Sequence, residues 1–349
     1  MKIIFTGLTY CNYQKELGQS FEYTNFYKSL ERMPGIEVLH FPYERILEVG
    51  RSRGNEELIH LVRNEKPDAF FAFMFTDELE LQTLDEIKKL TKSIAWFSDD
   101  HWRFHNYSRY YAPHFSFAVT TYSRAIEWYK KISVSNIIHS QWAAAGFDVS
   151  NPVTWRTPEQ EQPFVSFVGN WSRPRQKILT ALARAGIHVA VYGNGWPRGR
   201  IDEKEMLWVF KSSKINLALN PPSGHWNTNS LGRIFFRRSM NKIVFDAHMV
   251  RNFTAWLHRG TPQIKARHFE IPACGGFLLT ALADNIGDYY TIGDEIVAYQ
   301  SLNDLIEKIK YYLSHDDERK KITKACYERT LRDHTYEKRF REIFKIIGL

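Results

Sequence analysis

Short apolar runs alternate with longer stretches in which apolar residues recur every three or four positions. "KIIFTG", "IEVLHF", "PDAFFAFMF", "SIAWFSD" and "FSFAVTT" are apolar at most positions, as strands buried on both faces of a parallel sheet are. Among the polar, helical stretches, "SFEYTNFYKSLERMPG" reads as a helix with Ser20 as N-cap, closed by Pro34 and Gly35. The alternation predicts an α/β fold with a doubly wound parallel sheet. The pattern pauses over "FDVSNPVTWRTPEQEQP", Phe147 to Pro163, a Pro-rich, polar linker, and then restarts. "FVSFVGN" and "IHVAVYGNG" are strands running into glycine turns, "RQKILTALARAG" is an amphipathic helix, and "INLALN" is another strand. "FEIPACGG" and "FLLT" precede three C-terminal helices, "LNDLIEKIKYYLSH", "DDERKKITKACYERTL" and "TYEKRFREIFKII". The predicted division is 1–150, a linker at 151–163, a second domain at 164–330, and a final helix at 331–349 that returns to the first domain. Two Rossmann-like domains then face each other across a cleft, with ligands at the C-terminal ends of the strands.

At 349 residues the chain is long enough for two cores, and 44% hydrophobic with 15% aromatic content marks it as globular. No run reaches the roughly eighteen apolar residues of a membrane span, and "MKIIFTGL" is too strand-like for a signal peptide. Cys11, Cys274 and Cys326 are odd in number and far apart, which argues against a disulfide framework and suits a reducing cytoplasm. The net charge of +8 is concentrated. Residues 221–268 hold eight Lys or Arg against one acid, Asp246. Such a field favours a polyanion or a phosphorylated ligand, unless it is a solvated basic face.

The glycine turns carry chemistry. Gly169 and Asn170, and Gly193 and Asn194, end strands where a backbone is able to approach a ligand closely. The helix after Gly169 begins near Arg173 and Arg175, so its free N–H groups and flanking guanidinium groups outline a diphosphate site. In "KARHFEIPACGGFLL", Glu270 lies between Phe269 and Ile271. A charge there needs a partner: it complements a helix N-terminus or accepts the hydroxyls of a ribose. On the second reading Gly275 and Gly276 let a helix start pass close to a nucleotide, and Arg267 reaches its phosphates. "WFSDDHWRFH" ends a strand with Asp99 and Asp100. An ionised Asp there either takes a proton from an acceptor hydroxyl or caps the following helix. His101 and His105 have helical ligand spacing, but no further acidic ligand is apparent. Trp226, Phe235, Phe236, Phe253 and Trp256 interleave with the basic residues, as on sugar-stacking or nucleic-acid surfaces or in a core.

"RHFEIPACGGFLLT" together with "YYLSHDDERKKITKACYERTLRDHTYEKRF" resembles the C-terminal domain of CgeB-like (spore maturation) glycosyltransferases, and more broadly glycosyltransferase family 4. The resemblance covers roughly residues 90–345 and is most specific in the C-terminal third. It implies the GT-B fold: a first, acceptor-side domain and a second that holds most of a nucleotide sugar. It also implies that Glu270 binds ribose with Ile271 beside it, that Arg267 binds the diphosphate, and that "FVGNWSRPR" binds the phosphates. Many family 4 members carry a second Glu eight residues before the ribose Glu, where this chain has Pro262. That departure points away from their retaining mechanism. A second resemblance is to the DNA β-glucosyltransferase of T-even phages, in "WFSD", in "VGNWSRPR" and in the Arg267-x-x-Glu270 spacing.

The resemblances imply a glycosyltransferase that moves a sugar from a UDP-linked donor to a hydroxyl acceptor with inversion. Asp99 is the expected base, with Asp100 its alternative. Arg233, Arg237, Arg238, Lys242 and Trp102 are the expected acceptor or polyanion contacts. No cofactor and no divalent metal is expected, because arginines and helix dipoles stabilise the leaving diphosphate. The partners are the nucleotide sugar and an acceptor glycan or hydroxymethylated DNA, with no membrane span. A non-catalytic sugar-nucleotide or nucleic-acid binding protein is the alternative of another class.

Overall fold

The computed structural model describes residues 1–145, 164–220 and 228–349. The Pro-rich stretch 147–163 and Trp226 lie outside the described residues. Two units form, each around its own parallel sheet. The first contains residues 1–141, 228–259 and 336–349; the second contains 142–145, 164–220 and 260–335.

The first sheet has β1 (Lys2–Gly7), β2 (Glu37–Pro42), β3 (Ala69–Phe73), β4 (Lys92–Phe97), β5 (Phe117–Thr120) and β6 (Ile137–His139). Their order is β2-β1-β3-β4-β5-β6, all parallel. Every residue of β3 is buried, and Phe70, Ala72, Ala95 and Phe97 join one apolar core. Ser20 does cap the first helical stretch, its Oγ accepting the Tyr23 N–H at 3.0 Å. The last helix, Tyr336–Ile346, packs Tyr336 and Phe340 against Phe26 in this unit.

The second sheet begins with β7 (Val165–Val168), β8 (Ala190–Tyr192) and β9 (Ile215–Ala218). The chain then leaves it for a helix, Thr228–Phe235, a hairpin of β10 (Phe236–Ser239) and β11 (Lys242–Phe245), and a second helix, Met249–His258. It returns through the helix Arg267–Ala273 to β12 (Leu278–Ala281) and β13 (Val297–Tyr299). The order is β13-β12-β9-β7-β8, again all parallel. Val165, Phe167, Leu217 and Leu279 form its core with Leu305 and Ile309 of the helix Leu302–Ser314.

Two expectations change. Residues 228–259 group with the first unit rather than with 164–330, because specific polar bonds fasten them there. Arg237 donates to Asp77 Oδ2 at 2.7 Å, and Asn106 Nδ2 donates to Asn252 Oδ1 at 2.9 Å. Gly275 and Gly276 close a helix rather than open one. The Gly276 N–H donates to Ile271 O and the Gly275 N–H to Pro272 O, with Gly275 at φ 73°, the left-handed helix stop that glycine favours.

In both sheets the first strand lies between the second and the third. The connections therefore diverge between β1 and β3 and between β7 and β9, and a crevice forms at such a switch point, outside the carboxyl ends of the strands.

Candidate active site

In the second unit the expected donor residues gather at the ends of β7 and β9. Arg267 Nε lies 3.5 Å from Val168 O, the last residue of β7, and its guanidinium packs over the Phe210 ring. One helical turn on, Glu270 is buried and pairs with Arg267 Nη1 through Oε2. The pair sets a cation and a carboxylate together beside the switch point. Ile271 is buried next to it.

The glycine turns serve each other. Gly193 has φ 132°, and a Cβ there would lie 2.3 Å from Gly169 O. The Trp171 N–H donates to Asn194 O at 2.8 Å, and Trp196 Nε1 donates to Gly169 O at 2.8 Å. The close approach at Gly193 is thus of backbone to backbone. Gly276 is similar: a Cβ would meet Phe210 O at 2.7 Å and Asn216 Nδ2 at 2.8 Å. Helix Arg173–Arg184 is capped by Ser172, whose Oγ accepts the Arg175 N–H, and Arg173 is exposed at its start. Arg175 is already engaged, donating to Asn170 O at 2.7 Å and Leu219 O at 3.1 Å. Burial, and then Arg267, lower its pKa. These bonds brace the turn that follows β7.

His268 escaped the sequence reading. It is fully buried, takes the Lys265 N–H on Nδ1 at 3.0 Å, and sets Nε2 2.8 Å from Thr280 Oγ1. It thereby ties the helix that carries Glu270 to β12. Burial lowers its pKa to about 4, so it is neutral at pH 7. The unfolded chain, near its ordinary value of about 6.5, binds the proton first. Stability contributed by His268 is therefore present above about pH 6.5 and lost as pH falls through about 4. Thermal melts across pH 7 to 4 are expected to show a decline that His268→Gln flattens. An identical slope in a folded variant would contradict this.

In the first unit a cavity of about 1440 Å³ opens past the ends of β3 and β4. Asp99, Trp102, Arg233, Arg237 and Arg238 all line it, as does Trp256; Lys242 is exposed and does not. Asp99 precedes the short helix Asp100–Arg103 but makes no side-chain cap bond to it. Asp100 is fully buried, and Tyr129 OH donates to its Oδ2 at 2.9 Å. Burial raises its pKa, and no acceptor hydroxyl reaches it there. Of the two, Asp99 is the carboxylate that lines the cavity.

The cavity wall is an ion-pair network. Asp77 meets Arg237 at 2.7 Å and Arg51 at 3.0 Å. Burial pushes its pKa up, but Arg237, Arg51 and Ser239 outweigh that and hold it below its ordinary value. Asp246 accepts from the His248 N–H and lies 3.5 Å from Arg251. Burial opposes its ionisation, yet these donors and Asn252 bring it down to about 2. Arg238 donates to Asn12 Oδ1 and Met240 O, both at 2.8 Å. Arg237 and Arg238 are therefore committed within the chain and are poorly placed to neutralise phosphates along a duplex. Arg259 stacks over Trp102 at 4.9 Å. Burial and then Arg233 lower its pKa to about 10, while Asp99 raises it. Arg259, Arg51 and Asp77 were not singled out in the sequence. The signal was available, since "FMFTDE" is an apolar strand running into acids, as "WFSDD" is.

Among the described residues no group of three His, Cys, Asp or Glu stands together as metal ligands would. His101 is buried, and His105 stacks with His258 at 4.4 Å between centroids.

Residues 173–345 match the family described as glycosyl transferase-like. The chain is 32% identical over 100 residues to spore protein CgeB of Bacillus subtilis, a stretch covering 27% of this chain and 29% of that protein. Among solved structures it is similar to a glycosyltransferase from Rickettsia africae, with a TM-score of 0.58 at 10% identity over 99% of this chain and 97% of that one. It is also similar to Anabaena Alr3699/HepE in complex with UDP and glucose, with a TM-score of 0.55 at 10% identity over 100% and 99% of the two chains. At that identity the structures share the fold. Residues 173–345 thus carry a glycosyl transferase-like domain, in a chain built on the GT-B fold of two Rossmann-like domains.

Proposed function

We propose that the protein transfers a sugar from a UDP-sugar to a hydroxyl acceptor, with inversion at the anomeric carbon. The observation that carries this reading is the Arg267–Glu270 pair beside the β7/β9 switch point. Glu270 accepts the ribose hydroxyls; Arg267 and Arg173, with the N-terminus of the helix Arg173–Arg184, offset the charge of the diphosphate. The related fold of Alr3699/HepE, solved with UDP-glucose, supports uracil as the base. Asp99 takes the proton of the acceptor hydroxyl. As the acceptor oxygen bonds to the anomeric carbon, the bond from that carbon to the diphosphate oxygen breaks and UDP leaves. Trp102 and Arg233 contact the acceptor. The engagement of Arg237 and Arg238 favours a glycan-type acceptor over duplex DNA. Proton NMR of the first-formed product tests the stereochemistry: an anomer inverted relative to the donor is expected, and a retained one removes the single-displacement role of Asp99.

A further inference from the structure

We propose, building on the sugar-transfer reading above, that the acceptor is an anionic glycan whose carboxylate or phosphate ester is held by Arg233 and Arg259 in the first unit's cavity. The cavity wall carries seven arginines against four Asp or Glu. Carboxylates meet three of the arginines within 3.5 Å: Asp77 meets Arg51 and Arg237, and Asp246 meets Arg251. Arg103 and Arg238 end on backbone carbonyls, Phe75 O at 2.6 Å and Met240 O at 2.8 Å. A carbonyl satisfies a guanidinium N–H without cancelling its charge. Positive charge therefore remains in excess along the wall.

Arg233 lies where that excess meets the site. Its helix, Thr228–Phe235, packs against Met249–His258, which packs in turn on the short helix Asp100–Arg103. This packing brings Arg233, Arg259, Trp102 and Asp99 to one cavity. Among the described residues Arg233 makes no ion pair or hydrogen bond. Its side chain opens to the cavity, yet the protein around it lowers its pKa by burial, and no carboxylate offsets that. Arg237 is the contrast: burial acts on it too, but Asp77 and Asp246 outweigh it and raise its pKa. Burial and then Arg233 lower the pKa of Arg259 against the pull of Asp99, so like charges crowd the wall beside the proposed base. A charge stripped of water without a partner is costly, and a bound anion offsets the cost. Guanidinium groups take a carboxylate or a phosphate through paired N–H···O bonds, which a neutral glycan does not offer. Trp102, under Arg259, and the exposed Tyr110 supply aromatic faces in the same wall. A polynucleotide needs cations free to follow its backbone, and Arg237 and Arg238 are already engaged.

The test is calorimetry of the full chain, saturated with UDP, against paired oligosaccharides. One pair is oligogalacturonate and its neutral methyl ester; the other is a phosphorylated mannose oligosaccharide and its dephosphorylated form. At least one acidic member is expected to bind about tenfold or more tightly than its neutral counterpart, and the pair that shows this tells carboxylate from phosphate ester. Arg233→Gln is expected to bring that ratio to within about threefold of unity. Arg233→Lys keeps the charge but not the paired N–H bonds, and is expected to leave an intermediate ratio. Equal binding within both pairs, or no binding of any member, overturns the proposal. So does a folded Arg233→Gln variant that keeps the preference, or one whose UDP affinity falls as far as its affinity for the acidic glycan, which assigns the arginine to the donor. Duplex DNA bound more tightly than either acidic oligosaccharide and released by Arg233→Gln also overturns it. A chain that consumes a UDP-sugar without acidic preference leaves sugar transfer standing and removes the anionic acceptor. One that shows the preference but consumes no UDP-sugar keeps the anion site and removes sugar transfer.

Discussion

Asp99→Asn is expected to lower turnover by about a hundredfold or more while UDP affinity stays within about twofold. The carboxylate lines the first unit's cavity and caps no N–H of the helix that follows it. The amide therefore removes a base while leaving the start of that helix unchanged. Asp100→Asn is the informative contrast. That carboxyl is buried against Tyr129, so the change is expected to lower the melting temperature while the folded fraction keeps its turnover. Steady-state kinetics on both variants, scaled to folded protein, separates the two. If Asp100→Asn is inactive and Asp99→Asn active, the base is the neighbour. If both are active, a base at this strand end is wrong.

Glu270→Ala is expected to weaken UDP binding tenfold to a hundredfold, measured by calorimetry. Charge-assisted bonds to two hydroxyls are worth about 1.5–3 kcal/mol. The carboxylate is buried and its partner Arg267 is held near the end of β7, so the loss falls on a site whose geometry is otherwise fixed. Glu270→Gln keeps the shape and one hydrogen-bond acceptor, and is expected to fall between wild type and Ala. Unchanged affinity in a folded Ala variant would leave Glu270 as an internal partner of Arg267 alone.

The parallel strands were legible because burial on both faces writes itself as a continuous apolar run, as in "AFFAF" of β3. β6 and β13 are three residues long and carry no glycine turn after them, the signal that marked the equally short β8. The hairpin escaped because its two-residue turn is Met240-Asn241, with Met240 at φ 48°, where glycine or asparagine would have signalled it. The helix Arg267–Ala273 was obscured by Pro272 within it and by the glycines after it, which read as a start instead of a stop. The candidate donor residues of the second unit stood out in the sequence because they cluster in two short motifs. The cavity of the first unit was not, because Asp77, Asp99 and Arg259 come from separate stretches, and only packing assembles them.

Sugar transfer from a UDP-linked donor is open to direct assay. The most direct measurement is release of the free nucleotide from a panel of UDP-, GDP-, dTDP- and CMP-linked sugars, followed by mass spectrometry of oligosaccharide and hydroxymethylated-DNA acceptors. Consumption of a UDP-sugar is expected, with one equivalent of UDP released per acceptor glycosylated, and with that activity lost in Asp99→Asn. Folded protein that neither binds nor consumes any UDP-sugar across the panel would contradict it.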